Sequence, residues 1–385
     1  MSQLMSALVR ASEKAANIAR SCRQEEALFG LLIEEKKEGE KNKKFVTDFK
    51  TLADVLVQEV IKHDIGKEFP GLESYIFGEE SNEFTNGLGE KIQVKVCDLE
   101  QDTCLLLGKV LGGNTVAAAA LARAAHRDVT VPDLDVGTVH LPRDNLGVWV
   151  DPIDSTFQYI KGISDSIPEG NVYSQGLQCV TVLIGVYDLR TGEPLMGVVN
   201  QPFATLDPET HKWRGKYYWG ISSGPNNICP FQPSGEATGQ AASSQQEVLM
   251  SAILSTGEAE GVKKVLRQAC GGRVHYAAGA GYKSLCVVLG LVDVYVFSED
   301  TTFRWDCCGP HAILRSIGGG MADLKECLRL RDDGKPEERP ELAYNTPVVG
   351  ATGADRWANK GGLVAYRSPA HLDAVLSLLS AVALR

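Results

Sequence analysis

The sequence predicts an α/β protein, with a mainly antiparallel sheet in the first part of the chain and a second part in which strands and helices alternate. Apolar residues recur at helical spacing near the N-terminus. β-branched and aromatic runs bounded by Gly, Pro and Asn fill the middle. Beyond residue 246 short apolar runs and amphipathic stretches take turns. The 385 residues are 44% hydrophobic and 23% charged, which is ample for a core and too long for one small module.

Leu4, Leu8, Ala11, Ala15, Ile18 and Cys22 mark an opening helix, and a second segment runs to Ile33 before a charge block at 34–44 that reads as solvated. Residues 47–62 predict another helix, with Leu52, Val55, Leu56 and Val60 on an apolar face and Asp48 or Thr51 as the cap. Residues 103–126 read as one long helix of small residues. Strands are expected at 147–150, 177–187, 194–201 and 216–221. Residues 222–246, rich in Ser, Gly, Pro, Gln and Asn, form the best linker candidate. The alternation that follows is strand 248–254, helix 257–270, strand 274–276, helix 281–289, strand 292–297 and helix 306–317. A strand at 363–366 and a helix at 371–384 close the chain. The expected division is a lobe at 1–246 and a second at 247–385.

Composition excludes several classes. Lys and Arg number 39 against 49 Asp and Glu, a net charge of −10, which disfavours a broad surface tracking nucleic-acid phosphates. An anionic ligand would have to be held by metal ions, helix ends or a few local cations. The ten cysteines are scattered and form no C-x-x-C pair, so free thiols of a reducing compartment are expected. No apolar run has membrane-spanning length, because 104–125 is broken by Lys109 and Arg123. No secretory signal is visible, and the expected location is the cytoplasm, with no membrane insertion and no obligate protein partner.

The sharpest local feature is Trp149-Val150-Asp151-Pro152-Ile153-Asp154-Ser155-Thr156. A short strand delivers two carboxylates three residues apart, then two hydroxyls. Asp151 and Asp154 can hold a hard cation. If a helix starts after Asp154, the amides of Ser155 and Thr156 can meet a phosphate. Taken alone, D-P-x-D is more often a strand end with a capping Asp and Ser. Phe77-Gly78-Glu79-Glu80-Ser81 on its own reads as a solvated turn, Arg304-Trp305-Asp306-Cys307 as a helix cap, and Asp54 as one acid on an amphipathic helix.

Together, in this order, the four pieces resemble the lithium-sensitive, magnesium-dependent phosphomonoesterase superfamily. Its pattern is an upstream Asp, a Gly-Glu-Glu, D-P-[IL]-D-[GS]-[ST], and a W-D at a helix. The match runs from about Asp48 to Ile317, with Gly197-Val198-Val199-Asn200-Gln201-Pro202 in support. The motif D-P-I-D-S-T-F-Q-Y-I-K-G and the stretches 51–59, 278–284 and 297–303 look like the branch that acts on inositol polyphosphates. The monophosphatase and nucleotidase branches usually carry Gly at the position of Ser155. In one stretch the chain departs from the branch: Gly257 and Ala259 offer no hydroxyl or cation where substrate contacts are expected.

The resemblance implies a layered αβαβα sandwich with a smaller mixed C-terminal sheet, the metal motifs in 1–246 and the W-D ligand in 247–385. It implies two or three Mg²⁺ ions and inhibition by Li⁺. Asp151 would bridge two ions. Glu79 and the carbonyl of Ile153 would complete the first site, Asp154 with Asp306 the second, and Glu80 would act directly or through water. Asp54 and Thr156, with Glu79, would serve the attacking water. Asp154, Ser155, Thr156, Gly279, Ala280, Lys283 and Thr301 would contact substrate, with Glu299 a further candidate. The implied reaction removes the 1-phosphate from inositol 1,4-bisphosphate and inositol 1,3,4-trisphosphate. The alternatives are a 3′(2′),5′-bisphosphate nucleotidase, against which Ser155 and the 278–284 loop speak, and a non-catalytic metal-binding scaffold, which would be expected to lack a ligand. Asp133-Leu134-Asp135-Val136 resembles the nucleophile loop of haloacid-dehalogenase phosphatases, but Gly137 follows it and it reads as a surface turn.

Overall fold

The computed structural model describes residues 2–24, 33–37, 39–44, 48–134, 136, 145–224, 227–231 and 250–380. Along the chain run α1 (Ser2–Gln24), β1 (Ile33–Glu35), β2 (Phe49–Thr51), α2 (Leu52–Glu68), β3 (Ile76–Gly78), β4 (Glu83–Thr85), β5 (Lys91–Gln93), α3 (Glu100–Val110) and α4 (Thr115–His126). Next come β6 (Leu146–Asp154), α5 (Thr156–Lys161), β7 (Thr181–Asp188), β8 (Pro194–Leu206), β9 (Trp213–Ile221), β10 (Ala252–Leu254), α6 (Glu260–Ala269) and β11 (Val274–Tyr276). The rest is α7 (Ala280–Val288), β12 (Val294–Phe297), α8 (Arg304–Ser316), β13 (Gly320–Asp323), α9 (Leu324–Asp332), β14 (Leu363–Tyr366) and α10 (Pro369–Leu379).

Two five-stranded sheets organise these elements. The first has the order β3-β6-β7-β8-β9 and is antiparallel except for the β3–β6 pair. The second, of shorter strands, has the order β11-β10-β12-β14-β13; β10 runs parallel to β11 and β12, and the β12–β14 and β14–β13 pairs are antiparallel. Side chains that alternate along a strand face opposite layers. On β6 and β7, Val148, Val150, Val182 and Ile184 join α1 and α2 in one core, while Trp149 and Leu183 join α7 and α8 in another. On β12, Tyr295 and Phe297 belong to that middle core, and Val294 and Val296 to a third under α6, α9 and α10. The layering is therefore αβαβα, as the resemblance implies.

α8 lies unusually close to the first sheet. A Cβ on Gly197 would come within 1.9 Å of the Gly309 carbonyl oxygen, and one on Gly185 within 2.4 Å of the Gly309 amide. Three glycines thus let helix backbone touch strand backbone, and this seats the start of α8 over the end of β6.

Several expectations are corrected. The helix read over 103–126 is two helices, because Gly112 and Gly113 take positive φ (60° and 90°) and Asn114 caps α4 by accepting from the Ala117 amide. α2 is not amphipathic: every residue from Leu52 to Val57 is buried, which makes Asp54 an interior acid. Its cap is Thr51, and residues 48–50 belong to an extended approach rather than to the helix. Residues 177–179 form a short 3-10 turn before β7. β3, β13 and α9 were not anticipated. The second N-terminal segment at 25–32, most of the 222–246 linker, Val248, Asp135 and the last residues of the C-terminal helix lie outside the described residues. No described helix is long and apolar enough to cross a membrane. All ten cysteines are free thiols.

Candidate active site

A cavity of about 360 Å³ opens where β6 ends, between the two sheets. Its acidic floor follows from an irregularity in β6. Asp151 pairs with Leu183 and Asp154 with Thr181, so three steps along β6 match two along β7. In a regular strand residues i and i+3 face opposite ways. The extra residue turns Asp154 to the side of Asp151, and Pro152, which has no amide to donate, sits in this bulge. Asp306, in the first turn of α8, completes the group: carboxylate oxygens of Asp151, Asp154 and Asp306 all lie within 4.8 Å of one another, and all three residues are buried.

Each acid is held from behind. Asp154 Oδ2 accepts from Thr181 Oγ1 (3.1 Å) and the Gly281 amide (2.8 Å). Asp306 Oδ2 accepts from the Phe303 amide (2.6 Å), so Asp306 is a helix cap as well as a member of the cluster. Trp305 stacks on Phe303 (4.7 Å between centroids) and packs on Trp149. Asp151 Oδ1 is buried without a hydrogen-bond partner. Burial raises the pKa of all three; Asp306 reaches about 8, and Asp151 is driven well above the carboxylate range by burial and then by Glu79, Asp154 and Asp306. A buried knot of acids with an unpartnered oxygen is costly as it stands and suits a cation with oxygen ligands.

Glu79 follows β3, and its amide donates to Val150 O (3.2 Å), which sets it beside Asp151. Gln58 of α2 grips the same turn, accepting from the Glu80 amide (2.9 Å) and donating to the Glu80 carbonyl (2.6 Å). Glu79 lines the cavity; Glu80 lies behind it with its side chain almost fully covered. Lys36 stands between the two, 2.5 Å from Glu79 Oε1 and 2.6 Å from Glu80 Oε1. It is only 3% exposed, and although burial opposes its charge, the two carboxylates hold its pKa well above the usual value. The reading of 34–44 as a solvated block is therefore corrected for Lys36.

Asp54 stands across from the cluster. Its Oδ2 accepts from the Thr51 amide (2.7 Å) and hydroxyl (2.5 Å), and its Oδ1 accepts from Thr156 Oγ1 (3.2 Å). Burial lifts its pKa to about 6. Ser155 adopts left-handed backbone (φ 73°, ψ 44°) at the start of α5, and its hydroxyl makes no cap. Its carbonyl accepts from the Gln158 and Tyr159 amides. The alternative reading of a capping Ser at a strand end is thereby overturned.

Ile153, Ser155, Thr156, Gly279, Ala280, Lys283 and Thr301 all line the cavity. Lys283 is buried, donates to the carbonyls of Gly279 (2.7 Å) and Ala277 (3.3 Å), and is lowered by burial to about 8. The Thr301 hydroxyl is buried without a partner. Glu299 is not among the lining residues. Ser255, Thr256 and Gly257 reach the cavity, whereas Glu258 turns inward and accepts from the Ala259 and Ser298 amides. Lys36 and Gln58 are the residues that sequence reasoning missed. Nothing in their local sequence marks either as interior.

The sequence profile of the Inositol monophosphatase family matches residues 1–371. Inositol polyphosphate 1-phosphatase of Homo sapiens is 57% identical over 392 residues, covering 98% of this chain and 97% of the human protein. The Bos taurus protein of that name is 57% identical over 390 residues, with the same shares. Among solved structures, the extragenic suppressor protein suhB from Bartonella henselae superimposes with a TM-score of 0.50 at 14% identity, covering 99% of both chains.

Proposed function

The chain belongs to the inositol monophosphatase family, and from that premise we propose that it is a divalent-metal-dependent phosphatase that removes the 1-phosphate from inositol 1,4-bisphosphate and inositol 1,3,4-trisphosphate. The observation that carries this reading is the trio Asp151, Asp154 and Asp306, in which the buried Asp151 Oδ1 has no hydrogen-bond partner. An all-oxygen donor set favours Mg²⁺ over softer metals. Glu79, Asp151 and the Ile153 carbonyl would hold one ion; Asp151, Asp154 and Asp306 would hold a second; Glu80 would act from behind, through Lys36 or a water. Bound there, such ions neutralise phosphoryl charge and acidify water.

The chain's own residues do the rest. Asp54, reached through the Thr156 hydroxyl, takes the proton of the attacking water. The water oxygen bonds to phosphorus as the bond from phosphorus to the ring oxygen breaks, and the ring oxygen leaves as a hydroxyl with a proton from solvent. The amides of Ser155 and Thr156 hold phosphate oxygens. Thr301 has a buried hydroxyl to offer a ring hydroxyl, and the turn Gly279-Ala280 lets the ring approach backbone. The free thiols suit a reducing, cytoplasmic setting.

Phosphate release from a substrate panel tests this, with and without Mg²⁺. The two inositol polyphosphates are expected to be turned over only with Mg²⁺ and to be inhibited by Li⁺ uncompetitively. Equal or better turnover of adenosine 3′,5′-bisphosphate would replace the substrate assignment by the nucleotidase reading.

The acid cluster also sets a stability expectation. Unfolded carboxylates titrate near 4, whereas Asp54 and Asp306 titrate at about 6 and about 8 in the metal-free fold. Between those values the folded state binds more protons than the unfolded one, so stability falls as pH rises. The metal-free protein is expected to melt at a lower temperature at pH 8 than at pH 6.5. Mg²⁺ is expected to raise the melting temperature more at pH 8, where the acids ionise more readily. Equal melting temperatures at the two pH values, with and without Mg²⁺, would remove the cluster as a metal site.

A further inference from the structure

Two lysines line the cavity, Lys44 and Lys283, and only Lys283 is among the substrate contacts that the resemblance implies. We propose that Lys44 recognises the phosphate that the reaction leaves in place, and so makes the site selective for bisphosphates over monophosphates; this deepens the proposed function and rests on it.

The geometry starts from β12. Tyr295 and Phe297 are two residues apart on this strand, face the same layer, and have ring centroids 6.4 Å apart. Lys283 Nζ stands 5.1 Å from the Tyr295 centroid and Lys44 Nζ 5.0 Å from the Phe297 centroid. Two ammonium groups therefore stand over neighbouring rings of one strand, each on an aromatic platform. They differ in depth. Lys283 is 3% exposed and donates to the Gly279 and Ala277 carbonyls, and Lys44 stands further out, exposed at the rim. After burial, and against the pull of Asp154, the field of Lys44 lowers the Lys283 pKa, as expected of neighbouring cations.

Lys44 is also held in place. The Asn42 amide donates to Asp48 Oδ2 (3.0 Å), and Asn42 Nδ2 donates to the Thr301 carbonyl (3.1 Å). Lys43 pairs with Asp300 at 2.5 Å. These bonds strap the segment to the loop that leads into α8, beside the acid cluster. A ring whose one phosphate sits at Asp151, Asp154 and Asp306 presents any second phosphate elsewhere in a cavity of about 360 Å³. In an acidic cavity, a cation at the rim is where a dianion can settle. A lysine ammonium binds phosphate as a point charge without demanding one fixed geometry.

The test compares kcat/KM for inositol 1,4-bisphosphate and inositol 1-phosphate in wild type, Lys44→Met and Lys44→Arg, all with Mg²⁺. A charged hydrogen bond to phosphate is worth about a tenfold change or more. Lys44→Met is expected to lower the bisphosphate-to-monophosphate ratio by about tenfold or more, through KM rather than kcat, and Lys44→Arg to recover most of it. An unchanged ratio, or equal loss on both substrates with a lower melting temperature, overturns the proposal and makes Lys44 a structural part of the strap. If the wild type prefers adenosine 3′,5′-bisphosphate, the substrate assignment falls while Lys44 is judged by the same ratio between that compound and adenosine 3′-monophosphate. Wild-type protein that turns over none of these overturns both.

Discussion

Asp54→Asn is expected to lower kcat by about 10²–10⁴, the usual worth of a general base, with little change in melting temperature. The carboxamide has nearly the same shape, and its oxygen can keep the two bonds from Thr51 that now go to Oδ2. What changes is the other side. Thr156 Oγ1 donates to Asp54 Oδ1 and lies 3.1 Å from the Ile153 carbonyl. Facing an NH₂ group, the hydroxyl accepts from it and donates to Ile153 instead. The fold keeps its hydrogen bonds, but the route by which a proton reaches position 54 is reversed. A base at about 6 is also better matched to neutral pH than an ordinary aspartate, and the amide has no such capacity. Phosphate release under saturating substrate, beside a thermal melt, measures both quantities. Near-normal kcat would return Asp54 to the status of an interior cap and pass the role to Glu79 or Glu80.

How visible these residues are in the sequence depends on what places them. Asp151, Asp154, Ser155 and Thr156 are consecutive or nearly so, and one β-bulge and one short helix set them, so a linear motif captures them. The second half of the alternating pattern is legible for the same reason: 274–276 and 363–366 coincide with β11 and β14. Lys36 is different. Its neighbours Glu34, Glu35 and Lys37 give it the look of a solvated run, and only the approach of β3 from another part of the chain encloses it between Glu79 and Glu80. Gln58 sits in the part of its helix that is buried on every side, 52–58, so no single apolar face marks its partner. The break between α3 and α4 was locally visible in Gly112-Gly113-Asn114, and helical spacing on both sides hid it. β13 and α9 carry mixed charge and short apolar runs, which give neither period a clear signal.

The other large effect is expected at Asp151, where activity and stability should move in opposite directions. In the proposed arrangement Asp151 serves both ions, so Asp151→Asn removes charge from each. Several kcal/mol of phosphoryl-charge stabilisation depends on bound metal, and at 1.36 kcal/mol per decade the loss is about 10³-fold or more in kcat. The metal-free fold should respond the other way. Asp151 is buried among Glu79, Asp154 and Asp306, and its Oδ1 has no partner. A carboxamide replaces an acid that must either carry charge or hold a proton beside two others whose oxygens lie within 4.8 Å. Its NH₂ can also donate to a neighbouring carboxylate oxygen. The metal-free variant is therefore expected to melt above the metal-free wild type, and Mg²⁺ to raise its melting temperature less. Such opposition marks a residue kept for chemistry at the expense of stability. An Asp151→Asn protein that melts lower without metal and retains most of its kcat would make Asp151 a structural acid, and the three-carboxylate centre would no longer support the proposed reaction.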